Sequence, residues 1–131
     1  MKTLALLLLG TVSACAAPPE SFFRALHHVE TSGRTGPITG DAGKALGPLQ
    51  IHYDYWRDSG VPGNYSDCQN LAYSERVVAA YMKRFAPKAW RNGDWRTLAR
   101  IHNGGPSGHR VKATLRYLRR VEVAMMRLNA I

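Results

Sequence analysis

Between Gly33 and Gly47 the chain holds five glycines and a proline, flanked by stretches whose apolar residues follow helical spacing. Glycine loses more conformational freedom in a helix than any other residue, and proline breaks the ladder, so no long helix can run through this segment. A plain helical bundle is therefore excluded. Short strands are predicted around Ile38–Asp41 and Gly47–Ile51, forming a small hairpin with its loop at Ala42–Leu46.

Helices are predicted on either side of this insert. Phe22, Phe23, Leu26 and Val29 recur at helical spacing, which puts a first helix at about 20 to 31, opened by Pro18–Pro19 and ended at Thr31-Ser32-Gly33. "HYDYWRDSG" reads as a short helix stopped by Gly60 and Pro62. Ser66 and Gln69 have the spacing of a capping box, and behind them Leu71, Val78, Tyr81, Met82 and Phe85 continue a helix to Pro87. Asp94 is placed as the N-cap of a helix through Trp95, Leu98 and Ile101 that stops at "NGGP". A last helix spans about Gly108 to Leu128, with Val111, Leu115, Leu118, Val121, Met125 and Leu128 on its apolar stripe and several arginines on the other face. The fold class is α+β, mostly helical with one small hairpin.

The N-terminus follows a different logic. "MKTLALLLLGTVSACAA" joins a lysine, an apolar run and small residues, the pattern of a secretory signal peptide. Residues 1–17 are expected to be a leader and residues 18–131 one domain. Val12-Ser13-Ala14-Cys15 also resembles a lipoprotein cleavage site, so the export expectation is either secretion or periplasmic placement, with lipid anchoring through Cys15 as a variant. A membrane partner is expected only in that case. Cys68 lies early in a helix and reads as an inert small hydrophobe. The net charge is +9, and the leader contributes only Lys2, leaving +8 for the domain. Such a charge favours anionic surfaces such as cell wall. No aromatic-and-basic signature points to nucleic acid. No metal-ligand spacing appears, the adjacent His27 and His28 cannot share a helix face, and no cofactor is expected.

Two acids stand out in this basic chain. Glu30 falls at the C-terminal end of the first helix, where partial negative charge and burial raise a carboxyl's pKa. Asp41 falls in the glycine-flanked hairpin, where amides and water favour its ionised form. Two carboxylates in opposed environments are what glycoside hydrolysis uses, one to protonate the leaving oxygen and one to stabilise or attack the cationic carbon. Gln50 could bind a sugar or the backbone. Tyr53, Tyr55 and Trp56 could face a glycan or fill the core. His102 and Asn103 could touch substrate or order the turn after their helix.

"VETSG", "GDAGKALGPLQI", "YDYW", "AYMKRF" and "ARIHNGGP", in this order, resemble the invertebrate-type lysozyme family, also called the destabilase family. The resemblance implies a lysozyme-like fold and a bacteriolytic muramidase that hydrolyses the β-1,4 bond between N-acetylmuramic acid and N-acetylglucosamine in peptidoglycan. It implies Glu30 as general acid and Asp41 as nucleophile or ion-stabiliser, and His102 matches the family's histidine. Gln50, Tyr53, His102 and Asn103 stand as the candidate substrate contacts on the residues alone. Some members are isopeptidases that pair the histidine with a hairpin serine. Lys44 and Leu46 stand where serines would be expected, so no isopeptidase activity is predicted. The animal members are disulfide-rich, whereas this chain has two cysteines. "ETSG…GPLQI" is also similar to the signature of lytic transglycosylases, which use one glutamate. A non-catalytic peptidoglycan-binding envelope protein is the third reading.

Overall fold

The computed structural model describes residues 17–129; the leader and Cys15 lie outside the described residues, apart from Ala17. The described residues form six α-helices and one small sheet. The helices are α1 (Glu20–Thr31), α2 (Tyr53–Ser59), α3 (Leu71–Phe85), α4 (Pro87–Arg91), α5 (Trp95–Gly104) and α6 (Thr114–Asn129). The sheet has three two-residue strands, β1 (Thr39–Gly40), β2 (Ala45–Leu46) and β3 (Ile51–His52). β2 is central, with Thr39 opposite Leu46 on one side and Leu46 opposite Ile51 on the other, both pairings antiparallel.

The core is shared by all the longer helices and the sheet. Phe22 and Leu26 of α1, Val77, Val78 and Met82 of α3, Leu98 and Ile101 of α5, Val121 of α6 and Leu49 and Ile51 near β3 form one buried cluster. α6 packs on both α1 and α5, which is how the end of α1 comes to be framed by the last helix. Among the described residues no helix is long and apolar enough to cross a membrane.

Several sequence expectations hold and several shift. α1 ends where expected, although Ser32 rather than Gly33 takes the first left-handed position, at φ 56°. The single hairpin becomes two hairpins sharing a strand. Ala45 and Leu46, placed in a loop by the sequence, form β2, because Gly47, Pro48 and Leu49 supply a second tight turn before β3. The capping box lies two residues earlier than Ser66–Gln69. Asn64 and Asp67 cap a short 3-10 turn over Tyr65–Gln69, and Asn70 caps α3 by accepting from the Tyr73 amide at 2.9 Å. Gln69 instead accepts the Ile38 amide at 2.8 Å and pins the glycine-rich segment. At the C-terminal end, Gly108–Arg110 is a separate 3-10 turn and Val111 is exposed. The buried stripe of α6 is Thr114, Tyr117, Val121, Ala124 and Met125. Cys68 is buried, in the 3-10 turn over Tyr65–Gln69 and not in an α-helix, and burial pushes its thiol up to about 12.

Candidate active site

Thr31 and Arg120 fasten the end of α1. The Thr31 hydroxyl donates to the buried Pro48 carbonyl at 2.9 Å, tying α1 to the turn between β2 and β3. Arg120 of α6 donates to the Val29 carbonyl at 2.8 Å, satisfying an acceptor that a helix end leaves open. Glu30 sits between these two anchors with its side chain 19% exposed. Tyr117, a member of the buried α6 stripe, donates its hydroxyl to Glu30 Oε1 at 2.6 Å. A buried phenol must find an acceptor, and Glu30 is the one it finds.

His102 Nε2 lies 3.6 Å from the same oxygen, an ion-pair distance beyond a good hydrogen bond, and the histidine side chain is only 4% exposed. Its other nitrogen, Nδ1, is 3.0 Å from the Tyr55 hydroxyl. Tyr55 stacks on Tyr81 with ring centroids 3.7 Å apart, so it is fixed from behind. Burial, then the neighbouring Tyr81 and Glu30, push the Tyr55 phenol well above its usual range. The phenol can donate to Nδ1 of a neutral ring or accept from Nδ1–H of a positive one, and in both forms Nε2 carries the proton that faces Glu30. The chain Tyr81–Tyr55–His102–Glu30–Tyr117 thus converges on Oε1.

The sequence places Glu30 in an environment that raises its pKa, and the structure corrects this. Burial does raise it and is the largest single effect. The positive form of His102, the Tyr117 hydroxyl and the Arg120 charge together outweigh burial and hold the carboxyl below its ordinary value of 4.5. The helix end remains unfavourable, but three donors or cations on α5 and α6 face it. A depressed folded-state pKa means that Glu30 contributes stability above its unfolded value and loses it as pH falls through the folded one. The melting temperature is therefore expected to drop as pH is lowered below about 4.5, with a shallower drop in Glu30→Gln. Equal slopes in the two proteins would refute the linkage. Tyr117→Phe removes one of the lowering contacts, so the Glu30 titration read by NMR should move to higher pH, at a stability cost of about 1 kcal/mol.

Asp41 lies on the sheet side. It takes a left-handed conformation at φ 49°, followed by Ala42 at φ 54°. The four positive-φ residues other than glycine among the described residues are Ser32, Asp41, Ala42 and Gln50, all between the end of α1 and the start of β3. Backbone held in such regions is costly and gathers where a side chain must be aimed. Here the aim brings Asp41 Oδ2 to 3.3 Å from His52 Nε2, with Asp41 62% exposed. His52 and Tyr53 border a concavity of about 340 Å³ with Lys44 and Tyr65, and Tyr53 is 53% exposed. Of the alternatives for Gln50, its amide takes the backbone one, donating to the Gly47 carbonyl at 3.0 Å. Asn103 is exposed in the last turn of α5 and makes no side-chain hydrogen bond among the described residues. So Glu30 is joined to His102, and Asp41 to His52 beside Tyr53.

Residues 22–124 match the profile of the Destabilase family. The chain belongs to this family. Lysozyme 1 of Crassostrea virginica is 45% identical over 80 residues, which span 60% of this chain and 44% of the oyster protein. The chain thus covers less than half the length of that relative, and 64% of the lysozyme of Magallana gigas, to which it is 38% identical over 66% of its own length. The lysozyme of Ostrea edulis is 33% identical over 87% of this chain and 86% of its own. Among solved structures, Tapes japonica lysozyme superposes with a TM-score of 0.68 at 31% identity, covering 81% of this chain and 92% of the other.

For this destabilase-family chain, the sequence singles out Glu30, Asp41 and His102 as candidates but not the residues that contact them. Tyr117, Arg120 and His52 are not singled out by it. Tyr55 reads from sequence only as a glycan platform or core residue, and it is a support for His102. A signal for Tyr117 is available, because a tyrosine on an apolar helix stripe brings a hydroxyl that needs a buried partner.

Proposed function

We propose that this chain is a lysozyme that hydrolyses the β-1,4 bond between N-acetylmuramic acid and N-acetylglucosamine in peptidoglycan, as an exported protein. The observation that carries the reading is the half-buried Glu30, whose Oε1 takes the Tyr117 hydroxyl and faces His102, in a chain whose relatives are lysozymes. With Oε1 engaged, Oε2 is the oxygen left to hold the transferable proton.

Glu30 gives that proton to the glycosidic oxygen as the bond to the anomeric carbon breaks. Asp41, aimed by its strained turn, stabilises or captures the cationic carbon. A water molecule then delivers hydroxide to that carbon and returns its proton to Glu30. Because the free carboxyl is held low by His102, Tyr117 and Arg120, protonated Glu30 becomes more abundant in acid. A bound glycan displaces water and strengthens the burial effect, which favours the protonated form at the moment it is needed. Tyr53 serves as a glycan contact beside the Asp41–His52 pair, and Gln50 and Asn103 as flanking polar groups.

The test is release of reducing sugar from purified peptidoglycan. Wild-type protein should release it, and Asp41→Asn should lose about two orders of magnitude or more, the scale of a nucleophile or an acid–base group. Unchanged release by Asp41→Asn would favour a one-glutamate enzyme. The basic surface should also concentrate the protein on anionic wall, so binding to insoluble peptidoglycan is expected to weaken steeply between low and physiological salt. Salt-independent binding would rule out electrostatic concentration on the wall.

A further inference from the structure

Beside the end of α1, α1 and α6 border a concavity of about 370 Å³ whose lining does not include Glu30. His28 and Ser32 border it from α1, and Arg119, Arg120 and Arg127 from α6, over an apolar floor that includes Val123. His28 lies in the last turn of α1 and Ser32 just past its end, while Arg120 and Arg127 are two turns apart on α6 and share a face. No carboxylate lines the space. Glu122, the acid of α6, turns to Arg96 of α5 at 3.8 Å, and Glu30, although near enough to Arg120 to feel its charge, is not among the lining residues. Three guanidinium groups around one concavity repel each other, and a bound anion would offset that repulsion. Arg120 is partly committed to the Val29 carbonyl at 2.8 Å, which holds it in place, while Arg119 and Arg127 make no ion pair among the described residues.

We propose that this concavity is a binding site for a phosphate-class oxyanion, held by the guanidinium groups of Arg119, Arg120 and Arg127 with His28 and Ser32 as further donors. Guanidinium forks match the paired oxygens of such an anion, and a doubly charged anion suits three cations better than a single carboxylate does. The apolar floor accommodates the carbon of a phosphate ester.

The experiment titrates the full chain with inorganic phosphate at constant ionic strength, following arginine side-chain NH resonances and heat of binding. One saturable site is expected, with the largest shifts at Arg119, Arg120 and Arg127. Arg119→Gln/Arg127→Gln should weaken it by about tenfold or more, the scale of losing charge-assisted hydrogen bonds. The charge-matched control Arg91→Gln/Arg110→Gln removes two cations that do not line the site and should change affinity by less than about threefold. Arg119→Lys/Arg127→Lys, which keeps the charge and loses the fork, should fall between. Glycerol 3-phosphate distinguishes the source: tighter binding than inorganic phosphate assigns an ester-borne phosphate, and equal binding assigns the free ion. Non-saturable binding, or equal weakening in the charge-matched control, would overturn the site.

Discussion

Glu30→Gln should abolish cleavage of peptidoglycan, by about 10³-fold, while the protein folds and its α-helical signal is retained. Glutamine keeps the shape of the side chain and an oxygen that can accept from the Tyr117 hydroxyl, so the 2.6 Å contact has a successor. It has no proton of useful acidity to give. Buried Phe22 and Leu26 anchor the rest of α1, and neither depends on the charge of Glu30. A folded Glu30→Gln protein with more than a tenth of wild-type activity would show that the bond is broken by another group. Turnover by wild-type and variant on the same peptidoglycan, with circular dichroism of both, makes the comparison.

Gly47→Ala should cost about 4 kcal/mol or more, an exceptional loss for a one-methyl change. Gly47 has φ 77°, a conformation that costs a residue with a Cβ about 1–2 kcal/mol. The larger part comes from contact. A Cβ at this position would lie 1.8 Å from the Cys68 carbonyl oxygen and 2.7 Å from its carbon. That carbonyl already accepts the Ser74 hydroxyl at 2.6 Å, and the neighbouring Gln69 accepts the Ile38 amide. Gly47 itself donates to the Ile38 carbonyl at 2.8 Å, so neither backbone can retreat without breaking the other's bonds. Gly33→Ala is the control. Gly33 has φ 75°, but an added methyl there would meet nothing within 4 Å, so it should lose only the conformational part, about 1–2 kcal/mol. Equal losses in chemical denaturation would mean that φ, and not the Cys68 contact, explains this glycine. Domains of this size hold about 5–15 kcal/mol in total, so Gly47→Ala should sit near the edge of folding.

These two positions also mark what can be read from the chain alone. The glycine-rich insert announces a break between helices, and the periodicity of Phe22, Leu26 and Val29 locates α1 to the residue. It cannot announce β2, because two-residue strands carry no periodicity and depend on turns whose φ values are decided by distant contacts such as Gly47 with Cys68. α4 is also missed, since Pro87 reads equally as the stop of one helix and the start of the next. The stripe of α6 is shifted because Val111 fits the spacing but precedes the helix, whereas Thr114, a polar residue, is buried by donating its hydroxyl to the Gly108 carbonyl. Glu30, Asp41 and His102 are legible as residues. The depressed pKa of Glu30 is not, because its causes lie on α5 and α6, more than 70 residues away in the chain. Local sequence describes the helix end, and tertiary contact decides its charge.

Hydrolysis of the glycan strand by two carboxylates, as proposed for Glu30 and Asp41, leaves a defined product. Mass spectrometry of soluble fragments from purified peptidoglycan tests it most directly, with wild-type, Glu30→Gln and Asp41→Asn proteins side by side. Fragments with reducing N-acetylmuramic acid ends are expected from the wild type, and none above background from either variant. Anhydro-muramic ends that persist in Asp41→Asn would contradict two-carboxylate hydrolysis in favour of a one-glutamate transglycosylase, and no fragments from folded wild-type protein would leave a peptidoglycan binder.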